Sequence, residues 1–375
     1  MAQITLKERH RAVRDLMARS NVERLVCCGN GHHMIDLDNP IAHLTGYRSI
    51  GPALLVVEAD GGMRLLTSPA DEVDALASLA GLVGEARAVD DIGVSLKGLV
   101  AKPQHTVTVG LDEMPRRLAD VIDDALGHSA AGLDAAFYRA TAAKTVDEIA
   151  AARRATEIAE AGFVRLLEIA RPGMRECDLA IELNLHMREL GANDSFLMLN
   201  CGPRQDAVMP SSERLIEAGD LLLCELSPSV KGQFTQICRT VAIGPAQAVT
   251  QEKYPLLVAA MNEGIARVKP GARLGDVCAA IDDHLSAAGY AKFSRPPFIR
   301  RRGHGLGAGS TAPGDVSVDN DTILEPGMLF MVHPNQFLPE TGYMMCGEPV
   351  LVTETGYDVL TQARSALASI DRRRA

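Results

Sequence analysis

Two short stretches hold the residues best suited to chemistry. One is Arg300-Arg301-Arg302-Gly303-His304-Gly305-Leu306-Gly307; the other is Leu324-Glu325-Pro326-Gly327-Met328 running on to Val332-His333-Pro334. A histidine between two glycines can lie where backbone packs close on it and still turn its ring to a cavity, because glycine brings no Cβ. One such histidine alone would read as a hydrogen-bonded core residue, whereas two motifs in fixed order read as a site.

The elements that must position these motifs fall into two groups. Residues 1–25 fit an amphipathic helix. Short β-like runs follow at Leu25-Val26-Cys27-Cys28, Ala53-Leu54-Leu55-Val56-Val57 and Met63-Arg64-Leu65-Leu66-Thr67, the last two joined by the hairpin signal Asp60-Gly61-Gly62. Helical segments around 70–82 and 114–127, alternating with a strand at Thr106-Val107-Thr108-Val109-Gly110, predict a small α/β domain over 1–132. His32, His33 and His43 fall in its loops, where solvation is the default. A second domain, 140–375, opens with a long helix from a Thr145/Glu148 capping box to about Ile169.

That second domain carries a weak internal repeat. Arg171-Pro172-Gly173-Met174-Arg175-Glu176-Cys177-Asp178, then His186 and Gly191, matches Lys269-Pro270-Gly271-Ala272-Arg273-Leu274-Gly275-Asp276, then His284 and Gly289. Each proline-glycine turn leads into a helix that closes at glycine. Two such halves across a pseudo-twofold predict a curved sheet with outer helices and a central cleft, where ligands prefer to sit. His186 and His284 read as helix-packing or surface residues.

Bulk properties narrow the function. The chain has 375 residues, 47% hydrophobic, with no apolar run near the roughly 20 residues of a membrane span. The polar opening lacks the apolar core of a secretory leader, and eight cysteines are scattered without CxxC pairs, so reduced thiols and a cytoplasmic location are expected. A net charge of −10 and only 4% aromatics argue against a nucleic-acid surface.

The ordered landmarks resemble the pita-bread superfamily of methionine aminopeptidases, aminopeptidase P, prolidases and creatinase. They are Leu44-Thr45-Gly46-Tyr47, a strand pair at 219–225 and 232–240, the glycine-flanked His304, the 324–328 turn, and Glu348-Pro349-Val350-Leu351-Val352-Thr353. The resemblance implies a creatinase-like N-terminal α/β domain followed by a pita-bread domain. Its peptidases hold two metal ions with two Asp, one His and two Glu, and those positions map here to Glu225, Gln236, His304, His333 and Gly347. Only the histidine is kept, so two cations roughly 3.5–4 Å apart would lack the negative charge that makes their proximity tolerable. A single ion on Glu225, His304, His333 and Cys346 or Glu348 stays open as an alternative.

Creatinase and ectoine hydrolase, which lose metal ligands and cleave C–N bonds with side chains alone, look nearer. By that resemblance Glu340, in Leu338-Pro339-Glu340, is a cation-binding candidate. Where creatinase has its acid/base His, this chain has Val208 or Met209; a second guanidinium-binding Glu is replaced by Cys238, and a carboxylate-binding Arg falls at Ser317. Creatine is therefore not the expected substrate. The expectation is a metal-independent, cofactor-free hydrolase of a small cationic or zwitterionic amide or amidine. His304 and His333 form its acid–base pair, with Glu225 beside them raising the pKa and Gln236 meeting an oxyanion. Glu340, Cys238, Glu348, Tyr47 and Arg48 are the substrate-binding candidates. A metal-dependent peptidase or lyase and a non-catalytic binding protein are the alternatives. The family also implies a homodimer in which Tyr47 or Arg48 approaches the partner's ligand.

Overall fold

The computed structural model describes all residues except 1–4, 33, 36, 70–75, 80, 101–103, 128–130, 310–311 and 372–375. Its contacts divide the chain into two compact units, Ala2–Thr145 and Val146–Ala375.

The first unit begins with helix α1 (Leu6–Arg19), started by a Thr5/Glu8 capping box. Its mixed sheet runs β4-β3-β2-β1-β5-β6, built from β1 (Arg24–Gly29), β2 (Ala53–Glu58), β3 (Met63–Thr67), β4 (Glu85–Ala88), β5 (Thr106–Val109) and β6 (Ala131–Gly132). Beside it lie α2 (Pro40–Thr45), α3 (Ile92–Leu99), α4 (Arg116–Leu126) and α5 (Asp134–Ala140). Val26, Cys28, Leu54, Val56 and Leu66 face Ile92, Leu96 and Ile122 in one core, as alternate strand residues must. The β2–β3 hairpin closes at Asp60-Gly61-Gly62 as its sequence predicts. Of the helix expected around 70–82, 70–75 and 80 lie outside the described residues, and Ala77–Leu79 is a 3₁₀ turn. His33 also lies outside them. His43 is not a loop residue: it is buried in α2, its ring edge-on to Tyr138.

The second unit begins with α6 (Val146–Ile169) and α7 (Glu176–Glu189), then β7 (Asp194–Gly202), β8 (Leu221–Val230), β9 (Gln233–Phe234) and β10 (Ile237–Ile243). After these come α8 (Ala248–Ile265), α9 (Leu274–Leu285), β11 (Gly303–Gly305), β12 (Leu329–Val332), β13 (Gln336–Leu338), β14 (Gly342–Met344), β15 (Glu348–Val352), β16 (Tyr357–Val359) and β17 (Ala368–Ile370). One sheet runs β17-β10-β8-β7, another β11-β12-β15-β16, and a Cys238↔Gly347 bridge joins them.

The repeat extends further than the proline-glycine turns. Gly173 and Gly271 both have positive φ, at 87° and 82°, and donate to Ile216 and Leu324. Arg175 and Arg273 each pair with an aspartate three residues on and bridge to Leu215 and Ile323. A shift of 108 positions, ten more than the 98 between the turns, lays Leu215-Ile216-Glu217-Ala218-Gly219 over Ile323-Leu324-Glu325-Pro326-Gly327 and sets Glu225 and His333 in equivalent places. In the first half Leu222, Cys224 and Leu226 of β8 and Ile237, Val241 and Ile243 of β10 pack on Ile158, Leu166, Leu183 and Met187 of the helices. Strand alternation then turns Glu225 and Cys238 to the opposite face.

Candidate active site

Strand register assembles the site. Glu225 stands opposite both Met198 of β7 and Cys238 of β10, and Cys238 bridges to Gly347 just before β15. Continuing the Val332↔Glu348 pairing by one residue sets His333 opposite Gly347. One lateral row of side chains therefore crosses both sheets. On the last strand His304 pairs with Met331, two residues from His333, so both rings emerge on one face. Their centroids are 5.3 Å apart with planes inclined by 60°.

The glycines around His304 do what their sequence suggests. Gly303 has φ +151°, and a Cβ there would stand 1.8 Å from the Met331 carbonyl, so no larger residue fits the β11–β12 contact. Backbone holds the histidine loop: His333 N donates to the Arg302 carbonyl, while the buried Arg302 guanidinium donates to the Pro334 carbonyl and Gln336 Oε1 and pairs with Asp282.

His304 Nδ1 lies 2.8 Å from the Gly305 carbonyl, which makes Nδ1 the protonated nitrogen of the neutral ring and leaves Nε2 as the acceptor. His333 is 7% exposed, and among the described residues its Nδ1 meets no hydrogen-bond partner. Burial, with His304 and Arg301 adding to it, holds His333 well below the ordinary histidine range. The expectation that Glu225 raises the pKa of this pair is therefore overturned for His333. Removal from water is the largest cause, and nearby positive charge adds to it. The ring is neutral at pH 7.

Gln236 immediately precedes β10; its Oε1 is buried without a partner among the described residues. Cys238 Sγ is 3.7 Å from Glu225 Oε1, and burial followed by that carboxylate pushes its thiol up.

Glu348 is not a substrate-binding residue. Fully buried, it pairs with Arg239 at 3.3 Å and accepts from Thr361 Oγ1, Ser365 N and Ser365 Oγ, so both oxygens are spent inside the protein. Alternation explains this: Gly347 faces the cleft, and its neighbour faces away. Cys346, on its other side, is likewise buried in the field of Glu348. Glu340 sits exposed in the β13–β14 turn, where its carboxylate accepts from the Tyr290 hydroxyl at 3.1 Å instead of joining the histidines. Tyr47 and Arg48 follow α2 in the first unit, where Tyr47 N donates to Thr45 Oγ1.

Tyr343 escaped the sequence reading. Its phenol bonds the Asn335 side chain and lies in the fields of Glu225 and Cys238, so burial and these two groups raise its pKa. Only its place in β14, opposite Phe337, marks it, and no motif does. Among the described residues three cavities lie elsewhere, of about 280 Å³ beside His10 and Arg14, about 610 Å³ beside Tyr254 and Pro255, and about 840 Å³ beside Arg24, Glu58 and Arg64. The row is selected by its convergent buried polar groups and not by volume.

The model of metallopeptidase family M24 matches residues 150–354. This chain belongs to that family. The uncharacterized peptidase YqhT of Bacillus subtilis is 33% identical over 227 residues, covering 60% of this chain and 63% of that protein, so the match spans less than two thirds of the relative. An Xaa-Pro dipeptidase of Pyrococcus furiosus is 26% identical over 60% of this chain and 64% of its own. The prolidase of Pyrococcus horikoshii superposes with a TM-score of 0.83 at 18% identity, covering 96% of this chain and 99% of that one, which establishes the pita-bread fold.

The M24 name implies metal, and the residues present do not fit it. The five positions offer one carboxylate, one amide, two imidazoles and a glycine, too little charge for two close cations. Among the described residues no three His, Cys, Asp or Glu side chains are grouped to hold even one ion. Glu348, invoked for a mononuclear set, is committed to Arg239.

Proposed function

We propose that this chain hydrolyses a C–N bond of a small substrate without a metal ion, using His304 and His333 as its acid–base pair. The observation that carries the reading is two imidazoles with ring centroids 5.3 Å apart on one face, at least one of them neutral. His333 takes the proton of an attacking water, and a protonated imidazole returns one to the departing nitrogen. The amide of Gln236 and the phenol of Tyr343 supply uncharged hydrogen bonds for the carbonyl oxygen as it gains charge. Glu225 is the one carboxylate kept at the five positions, which favours a cationic or zwitterionic substrate. Amide-type bonds fit the peptidase names of its relatives.

The test is turnover on a panel of Xaa-Pro dipeptides, small amides, amidines and guanidino acids, with and without chelator. Chelator-resistant turnover lost in His304→Asn and His333→Asn supports the reading; chelator-sensitive turnover refutes it. The M24 membership favours a second reading, a metal-dependent Xaa-Pro-type peptidase, and that outcome would establish it.

A further inference from the structure

The position of the fifth metal ligand is occupied by packing. A Cβ built on Gly347 would stand 2.4 Å from Met331 Cε, 2.7 Å from His333 Cβ and 3.1 Å from Cys238 Cβ. The Met331 methyl is the end of a flexible chain and could swing aside, but the two Cβ atoms are fixed to strand backbone.

Gly347 cannot back away either. Its carbonyl accepts from Arg239 Nη1 at 2.8 Å and from Cys238 N at 3.4 Å. The same guanidinium donates to the Cys238 carbonyl, Ser365 Oγ and the Ala363 carbonyl and pairs with Glu348. Arg239 and Glu348 are both almost wholly buried, so one clamp behind the sheet draws the β10 and β15 backbones together at this residue.

We propose that Gly347 is the closure point between the two sheets, and that the cleft is built shut against the cation pair of its family instead of being that site with ligands deleted. The proposal rests on the metal-free reading above and adds that restoring the ligand types does not restore the site. A carboxylate at 347 would need the space now held by Met331 and His333, whatever stands at 236 and 333.

The test reads melting temperature and metal uptake in the 375-residue chain, and turnover in neither arm. Gly347→Ala should melt several degrees below the wild type, and Met331→Ala added to it should recover part of the loss by removing the nearest clash. The combination Gln236→Asp, His333→Glu, Gly347→Glu should show no saturable uptake of Mn²⁺, Co²⁺ or Zn²⁺ by calorimetry. Gly347→Ala melting like the wild type, or the triple variant taking up one or more equivalents of metal with near-wild-type melting, would overturn the closure. Both arms read folding and metal uptake and not turnover, so the acid–base reading stands or falls separately, on the Asn variants.

Discussion

His333 and Gly347 face each other across the β12–β15 pairing, with His333 Cβ 2.7 Å from where a Cβ on Gly347 would be. A histidine has gained the room that a second acidic ligand would need. A buried neutral ring stands there, and several consequences of the proposed reading can be measured.

His304→Asn and His333→Asn should each lower turnover by roughly 10²–10⁴-fold, the usual contribution of general acid–base catalysis. Both variants should keep the wild-type circular dichroism spectrum. Near-full turnover in both would make the pair structural.

The pH dependence has a definite sign. His333 is held below its unfolded value, so the unfolded chain binds more protons than the folded one as pH drops below about 6.5. Its contribution to stability is therefore present above that pH and lost as pH falls towards the folded value. Stability should fall on acidification more steeply in the wild type than in His333→Asn, and the acid limb of activity should lie below the ordinary histidine range. Equal acid slopes in urea titrations of the two proteins would contradict this.

Glu348→Gln or Arg239→Met should act on folding and not on substrate binding. Removing one partner of a buried pair leaves an uncompensated charge, at a cost on the order of 3–5 kcal/mol. Denaturant midpoints should shift, while KM of the folded fraction stays put. A raised KM with unchanged stability would return Glu348 to the substrate.

Gly303→Ala should destabilise by more than about 1 kcal/mol, because its φ of +151° and its contact with the Met331 carbonyl both exclude a Cβ. Thermal melting checks this, and a change under a few tenths of a kcal/mol would mean that the β11–β12 contact yields.

Glu225→Gln, which keeps shape and removes charge, should raise KM for a cationic substrate by about one to two powers of ten, the worth of a charge-assisted hydrogen bond. Neutral substrates of similar size should be affected less.

Much was legible in the amino-acid order because it depends on neighbours along the chain. Apolar runs marked β1, β2 and β3, Asp60-Gly61-Gly62 marked the β2–β3 hairpin, and the Thr145/Glu148 capping signal marked the start of the helix from 146 to 169. The matching proline-glycine turns at 172–173 and 270–271 disclosed a two-fold plan, and the two motifs around His304 and His333 pointed to one cavity. What the order could not convey was direction. Glu348 and Gly347 are adjacent, yet a strand turns successive residues to opposite faces, so one lines the cleft while the other is consumed by Arg239, 109 positions away in sequence. Glu340 went to Tyr290 and Tyr343 came into the cluster because a hairpin decides which of its residues reach the tip and which face inward. The protonation of His333 was also beyond the sequence, since desolvation depends on everything packed around the ring and not on the residues beside it in the chain.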